Sequence, residues 1–387
     1  MNEVEKFMQQ KGQEYRTIDR NRAKNIYAKL QSHLTLPKYI IQILGTNGKG
    51  STGRFISLLL MQNNASLLHF TSPHIFSFNE RFYKNGEIIS QDELLKAHNF
   101  LQTFDFMQDC SYFEYATFLA LVLSQKLDYL ILEAGVGGEL DSTSVVKRDM
   151  CVFTVIDFDH EEILGESIEE IATTKLNAIF YPTKTKAMIL GIQKHKIVES
   201  LAKNIAESHK IKLHTIKNAK LPAIASYLSK HNLASFLQDN LALALKAIEI
   251  LGLKYDLQSL KKLDLMGRFQ QIAPNIIIDV GHNQNAANAI KKLLTTKKVI
   301  LVYNSYFQKD IFSILSILKD NIKCVEILRI DGNPRIIKQE ILEQILVSLG
   351  IAYKNFTRIE EDMQYLVFGS FSVVETFMRD YFMESHK

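Results

Sequence analysis

The stretch Tyr39-Ile40-Ile41-Gln42-Ile43-Leu44-Gly45-Thr46-Asn47-Gly48-Lys49-Gly50-Ser51-Thr52 decides how this chain is read. Tyr39 to Leu44 is an apolar, strand-like run, and a helix-like stretch follows from Arg54 to Met61. A glycine-rich turn between a strand and a helix leaves backbone N–H groups pointing outward, where they can hold phosphate oxygens. Lys49 puts a cation beside the β- and γ-phosphates, and Ser51 or Thr52 offers a hydroxyl near a Mg²⁺ position. Gly45, Thr46, Asn47, Gly48, Lys49, Gly50, Ser51 and Thr52 therefore form a candidate triphosphate cradle. The plain alternative is a turn whose glycines only cap a helix. The strand before, the helix after and the Ser-Thr pair weigh against it.

The spacing departs from the usual P-loop of Gly, four residues, Gly-Lys-Ser/Thr. Only two residues separate Gly45 from Gly48, and Gly50 stands between Lys49 and Ser51. A short loop of this form points away from motor ATPases and GTPases, toward ATP-dependent amide-forming ligases.

Outward from that loop, short apolar runs alternate with longer helical patterns. Candidate strands are 38–45, 129–134, 151–156, 187–190, 275–280, 298–303, 324–330 and 365–368. Candidate helices are 167–180, 193–208, 236–251, 283–294, 311–318 and 338–349. Several strands are apolar on both alternating faces, as expected when helices cover each side. The expectation is an α/β protein with parallel, doubly wound sheets. A boundary near Gly267-Arg268 divides a P-loop-type N-terminal ATPase domain, residues 1–268, from a smaller Rossmann-like α/β domain, residues 269–387. No internal repeat is visible.

Composition bounds the partners. The chain has 387 residues, 47% apolar and 23% charged, with a net charge of +4, ordinary for a globular protein of two or three domains. No block of like charges or basic aromatic face suggests nucleic acid. The three cysteines, Cys110, Cys151 and Cys324, are scattered and read as reduced thiols of a cytoplasmic protein. No apolar run approaches the ~18 residues of a membrane helix. The polar start, Met1 to Arg22, does not read as a secretory signal.

Five further segments place polar groups just after a candidate strand or on the next helix, where open α/β sheets bind ligands. They are His69–His74 leading to Asn79-Glu80-Arg81, Ile131–Thr143 with Glu133, and Phe153–Glu161 with Asp159-His160. The others are Ile171–Lys175 and Ile277–Asn283. A strand-end Glu is usually a solvated rim residue, but Glu133 beside three glycines is a better Mg²⁺ ligand candidate. Taken alone, Lys175 reads as a solvated surface lysine. Asp279 and His282 lie three apart across a glycine turn, able to orient or exchange protons with a substrate. The structural alternative is an Asp capping a turn beside a solvated His.

Together these segments resemble the folylpolyglutamate synthase and dihydrofolate synthase family of the Mur ligase superfamily. The likeness spans nearly the whole chain, in matching order and spacing. Besides the loop it rests on Ser72-Pro73-His74 with Asn79-Glu80-Arg81, Glu133 through Thr143, and Asp159-His160 with Leu164-Gly165. It continues through Ile171-Ala172 with Lys175, Gly267-Arg268, Asp279 with Gly281-His282-Asn283, and Gly369-Ser370-Phe371. Lys-Gly-Ser after the loop glycine favours the folate branch over peptidoglycan ligases.

The resemblance implies roles. Lys49 and the loop amides would hold the β- and γ-phosphates of ATP, and Ser72, Glu133 and His160 would be the Mg²⁺ ligands. Lys175 would be the lysine that this family carbamylates to support a second metal, and a monovalent cation such as K⁺ is a further expectation. Asn240 would lie on the adenine side, and Arg268 would contact phosphate. Asp279 and His282, with Lys49 and Lys175, would serve the reaction, and Lys309-Asp310 matches a further pair. The implied activity is ATP-dependent ligation of L-glutamate to dihydropteroate and to the γ-carboxylate of reduced folates, through an acyl phosphate, by a monomer. Glu139 stands where the family usually has arginine, Ser142 and Ser144 replace alanine and asparagine, and Thr174 replaces an acid. The rivals are a Mur-type ligase acting on a cell-wall nucleotide and a P-loop protein that binds nucleotide without catalysis.

Overall fold

A computed structural model describes residues 3–12, 19, 21–182, 185–294 and 298–382; part of the polar start, Met1 to Arg22, lies outside them. The chain divides into two compact units, Met1–Tyr227 with Leu237–Asp264, and Leu228–Phe236 with Leu265–Lys387.

The first unit is built on eight strands: β1 (Tyr39–Leu44), β2 (Leu67–Phe70), β3 (Phe82–Lys84), β4 (Glu87–Ile88), β5 (Tyr129–Glu133), β6 (Met150–Phe153), β7 (Ala187–Leu190) and β8 (Lys212–Thr215). Their order across the sheet is β4-β3-β2-β5-β1-β6-β7-β8. From β2 to β8 every neighbouring pair is parallel, while β3 and β4 add an antiparallel edge. β1 is central and buried from Ile40 onward, because Ile40, Ile41 and Ile43 meet helices on both faces of the sheet. Gln42, also fully buried, donates to the hydroxyls of Thr143 (2.8 Å) and Ser144 (2.9 Å).

The helix Lys49–Met61 follows the loop and is buried along almost its whole length, packed against the helix Leu237–Ile250. Burying each of Phe55, Leu58, Leu59 and Leu60 contributes about 1.5–3 kcal/mol, so this helix is held by its core and not by capping.

The second unit has six strands: β9 (Gln270–Ala273), β10 (Ile276–Asp279), β11 (Val299–Tyr303), β12 (Ile322–Ile327), β13 (Tyr353–Asn355) and β14 (Tyr365–Phe368). Their order is β13-β12-β11-β14-β10-β9, parallel except for β9. Its core joins Leu301, Tyr303, Val325, Leu366 and Phe368 to the helices Gln284–Leu294, Ile311–Leu318 and Gln339–Ser348.

The α/β, doubly wound expectation holds, with corrections among the shorter strands. β2, β3, β4, β8, β9 and β13 are absent from the strand candidates, and the second sheet opens at Gln270, not Asn275. These strands have two to four residues each, too short for a period-2 pattern to separate from neighbouring apolar runs. The candidate 151–156 stops at Phe153, because Thr154 and the residues after it turn back onto the phosphate loop.

Candidate functional site

β1 delivers the loop at the C-terminal edge of the sheet, where β6 is its neighbour and the strand order changes direction. Thr46 ties the two strand ends together: its N–H donates to Val155 O (2.8 Å), its hydroxyl to Asp157 O (2.9 Å), and Asp157 N–H returns a bond to Thr46 Oγ1 (3.0 Å). Gly45 has φ +134°, and a Cβ there would lie 2.0 Å from Thr154 Oγ1. Gly48 has φ +87°, and a Cβ there would meet Asn240 Nδ2 at 2.2 Å. Both glycines are required by the left-handed backbone and by the closeness of the next chain.

Gly48 is the residue before the helix Lys49–Met61 and supplies no side-chain cap. The first amides of this helix thus receive no side-chain cap from Gly48, and uncapped helix-start amides are natural partners for an anion. Asn240 donates to Gly48 O (3.2 Å) and Thr52 Oγ1 (3.2 Å), so it holds the loop's far side. Lys49 Nζ donates to Gly45 O (3.2 Å) and Thr46 O (3.1 Å).

A second amine lies beneath the first. Lys175, on the helix Ile168–Leu176, is 4% exposed and donates to Gly45 O at 3.2 Å. Burial, with the positive charge of Lys49 beside it, lowers this amine to about 7. The solvated-surface reading of Lys175 is thereby overturned: a lysine on a polar-looking helix is folded under the loop.

Around the cradle, Glu133 ends β5 and is 5% exposed. Its Oε2 accepts from the Thr71 hydroxyl and from Ser72 N–H (3.1 Å). His160, half-buried, sits before the short helix Glu161–Leu164 with φ +54°, and its Nδ1 lies 3.6 Å from Glu162 Oε1. The structure brings Glu133 and Ser72 together directly. Among the described residues no group of three or more His, Cys, Asp and Glu side chains is arranged to hold a metal. The contact is through the Ser72 backbone N–H, and the buried Glu133 carboxylate is itself a hard-oxygen donor of the kind Mg²⁺ takes beside phosphate oxygens and water.

Asp141 and Asp157 carry weight that sequence reading did not give them. Asp141 accepts from Val136 N–H (3.0 Å) and Thr143 N–H (2.9 Å), fixing the glycine loop after Glu133, and burial raises its carboxyl. Asp157 joins Lys194 Nζ and His195 Nε2, both at 2.9 Å. Asp141 lies in the loop after β5 and Asp157 in the loop after β6, and that placement was the available signal for each. Glu139, in place of the usual arginine, is exposed.

The second unit holds the other expected residues. Asp279, 5% exposed, accepts from Gly281 N–H (2.7 Å) and Phe269 N–H (2.8 Å). Burial raises it to about 6, against the pull of those amides and of Arg268. His282 is half-buried with Nδ1 3.2 Å from Val280 O. Arg268 donates to Met266 O (3.3 Å) and Gly267 O (3.2 Å), and its guanidinium lies 5.6 Å from the Phe371 ring centre. Of the pair Lys309-Asp310, Asp310 caps the helix Ile311–Leu318.

The architecture recurs in known proteins. Residues 43–271 match the Mur ligase middle domain. A dihydrofolate synthase/folylpolyglutamate synthase of Buchnera aphidicola is 30% identical over 87% of this chain and 85% of its own. The crystal structure of Helicobacter pylori folylpolyglutamate synthetase is 41% identical, covering 99% of this chain and 98% of that one, with a TM-score of 0.80. Escherichia coli FolC in complex with DHPP and ADP is 25% identical, covering 98% and 97%, with a TM-score of 0.81.

Proposed function

This chain belongs to the Mur ligase family, in its dihydrofolate synthase and folylpolyglutamate synthase branch, and on that premise we propose that it joins L-glutamate to dihydropteroate and to the γ-carboxylate of reduced folates. It is an ATP-dependent acid–amino-acid ligase. The observation that carries the reading is the loop Gly45–Ser51: it leads into a helix without a side-chain cap, two amines rest on its carbonyls, and the buried Glu133 ends the neighbouring strand, paired with Ile43 of β1.

A carboxylate does not react with an amine at neutral pH until one oxygen becomes a leaving group. Transfer of the ATP γ-phosphoryl group to the acid supplies one, as an acyl phosphate that glutamate nitrogen attacks. Phosphoryl transfer depends on positioning and on neutralising the equatorial oxygens. The loop amides and Lys49 are assigned to the β- and γ-phosphates, Asn240 to the adenine side, and Arg268 to a phosphate. Thr46 and Asn240 keep the loop in one shape, so its dipoles need no rearrangement when charge develops. Ser72, Glu133 and His160 would hold Mg²⁺, which screens phosphate charge when bound.

The near-neutral Lys175 amine supports carbamylation: the unprotonated nitrogen bonds to the carbon of CO₂ and loses a proton, giving a carbamate. Its carboxylate is assigned to a second divalent cation, with a monovalent cation such as K⁺ as a further requirement. Asp279 is assigned to positioning, because its oxygens hold the turn that carries His282. A cytoplasmic setting fits the three free cysteines, and the monomer is carried by the family likeness alone; among the described residues no helix is long and apolar enough to cross a membrane.

The test supplies ATP, Mg²⁺, L-glutamate and dihydropteroate, and follows ADP and dihydrofolate. Both should appear together, each depending on all the other components. Absence of dihydrofolate removes the dihydropteroate half of the reading, and absence of ADP with reduced folates removes the rest.

A further inference from the structure

The loop after β2 is more heavily framed than its assigned metal ligand, Ser72, requires. The Glu80 carboxylate reaches back into it: Oε1 accepts from Phe76 N–H and Ser77 N–H, Oε2 from Ile75 N–H, all at 2.8 Å. Three amides on one carboxylate hold the chain in a single concave shape. Asn79 Nδ2 donates to Ile89 O (2.9 Å), and Thr71 N–H to Arg81 O (2.9 Å), closing the base. What this frame presents is His74.

Arg81 is 1% exposed, and its Nε–H donates to His74 Nδ1 at 2.9 Å. A guanidinium is always protonated and has no lone pair to give. Nδ1 must therefore be the accepting nitrogen, and the ring proton must lie on Nε2. Phe78 meets the imidazole edge-on, with ring centres 6.0 Å apart. The Arg81 guanidinium lies 5.7 Å from the Phe78 ring and 5.3 Å from that of Tyr112. The half-buried His74 is thus a neutral ring with one N–H donor, and that N–H has no hydrogen-bond partner among the described residues. Two residues before it, Ser72 N–H is on Glu133 Oε2. The donor stands on the loop that frames the buried carboxylate.

We propose that His74, locked as the Nε2–H tautomer by Arg81, donates a hydrogen bond to the carboxylate of the acid substrate and orients it for phosphorylation. This rests on the ligase reading above. A neutral donor suits the step better than a cation. One carboxylate oxygen must form a bond to the γ-phosphorus while the bond to the β–γ bridging oxygen breaks and ADP leaves with the electron pair. A neutral N–H on the other oxygen fixes direction without withdrawing the charge that attacks. Arg81 is the positioning residue: it sets the proton's place on the ring.

The experiment uses the full chain and varies dihydropteroate at saturating ATP, then ATP at saturating dihydropteroate. His74→Phe, which keeps a ring without the donor, should raise the dihydropteroate KM about tenfold and leave the ATP KM unchanged. His74→Gln, whose amide N–H lies near the Nε2 position, should recover most of that loss. Nitrogen-15 spectra of histidine-labelled wild type should show the proton on Nε2, and this measurement needs no variant to fold. An unchanged dihydropteroate KM in His74→Phe, a shift in the ATP KM instead, no recovery in His74→Gln, or a proton on Nδ1 would each overturn the proposal. Wild-type turnover of dihydropteroate separates these failures from failure of the ligase reading itself.

Discussion

The two units each contain a strand, a glycine turn and a helix, yet the two turns have opposite electrostatics. At the end of β1 the last strand residue is Leu44, the helix that follows has no side-chain cap, and the amines of Lys49 and Lys175 rest on loop carbonyls. At the end of β10 the last residue is Asp279, whose carboxylate takes the Gly281 and Phe269 amides. Asn283 Oδ1 meanwhile accepts from Ala286 N–H (3.0 Å) at the start of the next helix. The first turn is cationic, with two amines on its carbonyls and no side-chain cap on its helix. In the second, the chain has supplied the anion itself. A strand-glycine-helix pattern is therefore a phosphate site only where the fold leaves its donors unspent.

The strongest way to break this contrast is Lys49→Ala. If the first turn holds the transferring phosphate, kcat/KM should fall by about a thousandfold or more. Thermal unfolding should move by no more than about 3 °C. Steady-state kinetics and calorimetry together check this, and ordinary turnover in the variant would erase the distinction between the turns.

Lys175→Met should act in two directions. Turnover should fall about a hundredfold, while the first unit gains on the order of 2 kcal/mol near pH 7, because a buried amine is removed. Folding depresses this amine to about 7 from 10.5, so the unfolded chain binds more protons in that window. Wild-type stability should then rise with pH between about 7 and 10.5, fully reduced below that range, and the Met variant should lose this slope. Urea unfolding at pH 7 and pH 9 in CO₂-free buffer, where the amine is unmodified, measures it; an equal slope in both proteins would place the lysine in water.

Asp279→Asn should have the smallest effect on chemistry, about tenfold in kcat. Its stability signature has the opposite sign. Folding raises this carboxyl to about 6 from 3.8, so the folded state binds more protons there and wild-type stability is lost as pH rises through the window. Asn should abolish that slope and destabilise the second unit by about 1–2 kcal/mol, since its NH₂ must face one of the two amides. A loss of activity as large as that of Lys49→Ala would mean the second turn is also a reaction centre.

Much of the fold was legible in the chain. The apolar runs of β1, β7 and β14, the helix Ile311–Leu318 and the glycine turn after β1 follow from local pattern, because burial on both faces and a glycine turn leave marks within ten residues. The shortest strands, β4 with two residues and β3 and β13 with three, did not, since their pairing partners set them. Of the candidate site, the loop itself and Glu133 carried a local signal, whereas the depth of Lys175 did not.

By itself the sequence determined the α/β class, the glycine turn between β1 and its helix, and the carboxylate at the end of β5. Each of these rests on residues adjacent in the chain. Only the tertiary structure decided that Lys175 lies under Gly45 across 130 residues, that Asp279 spends its charge on backbone amides, and that Arg81 sets the tautomer of His74. Burial and proton placement depend on which distant groups the folded chain brings within hydrogen-bond reach, and no local pattern encodes that.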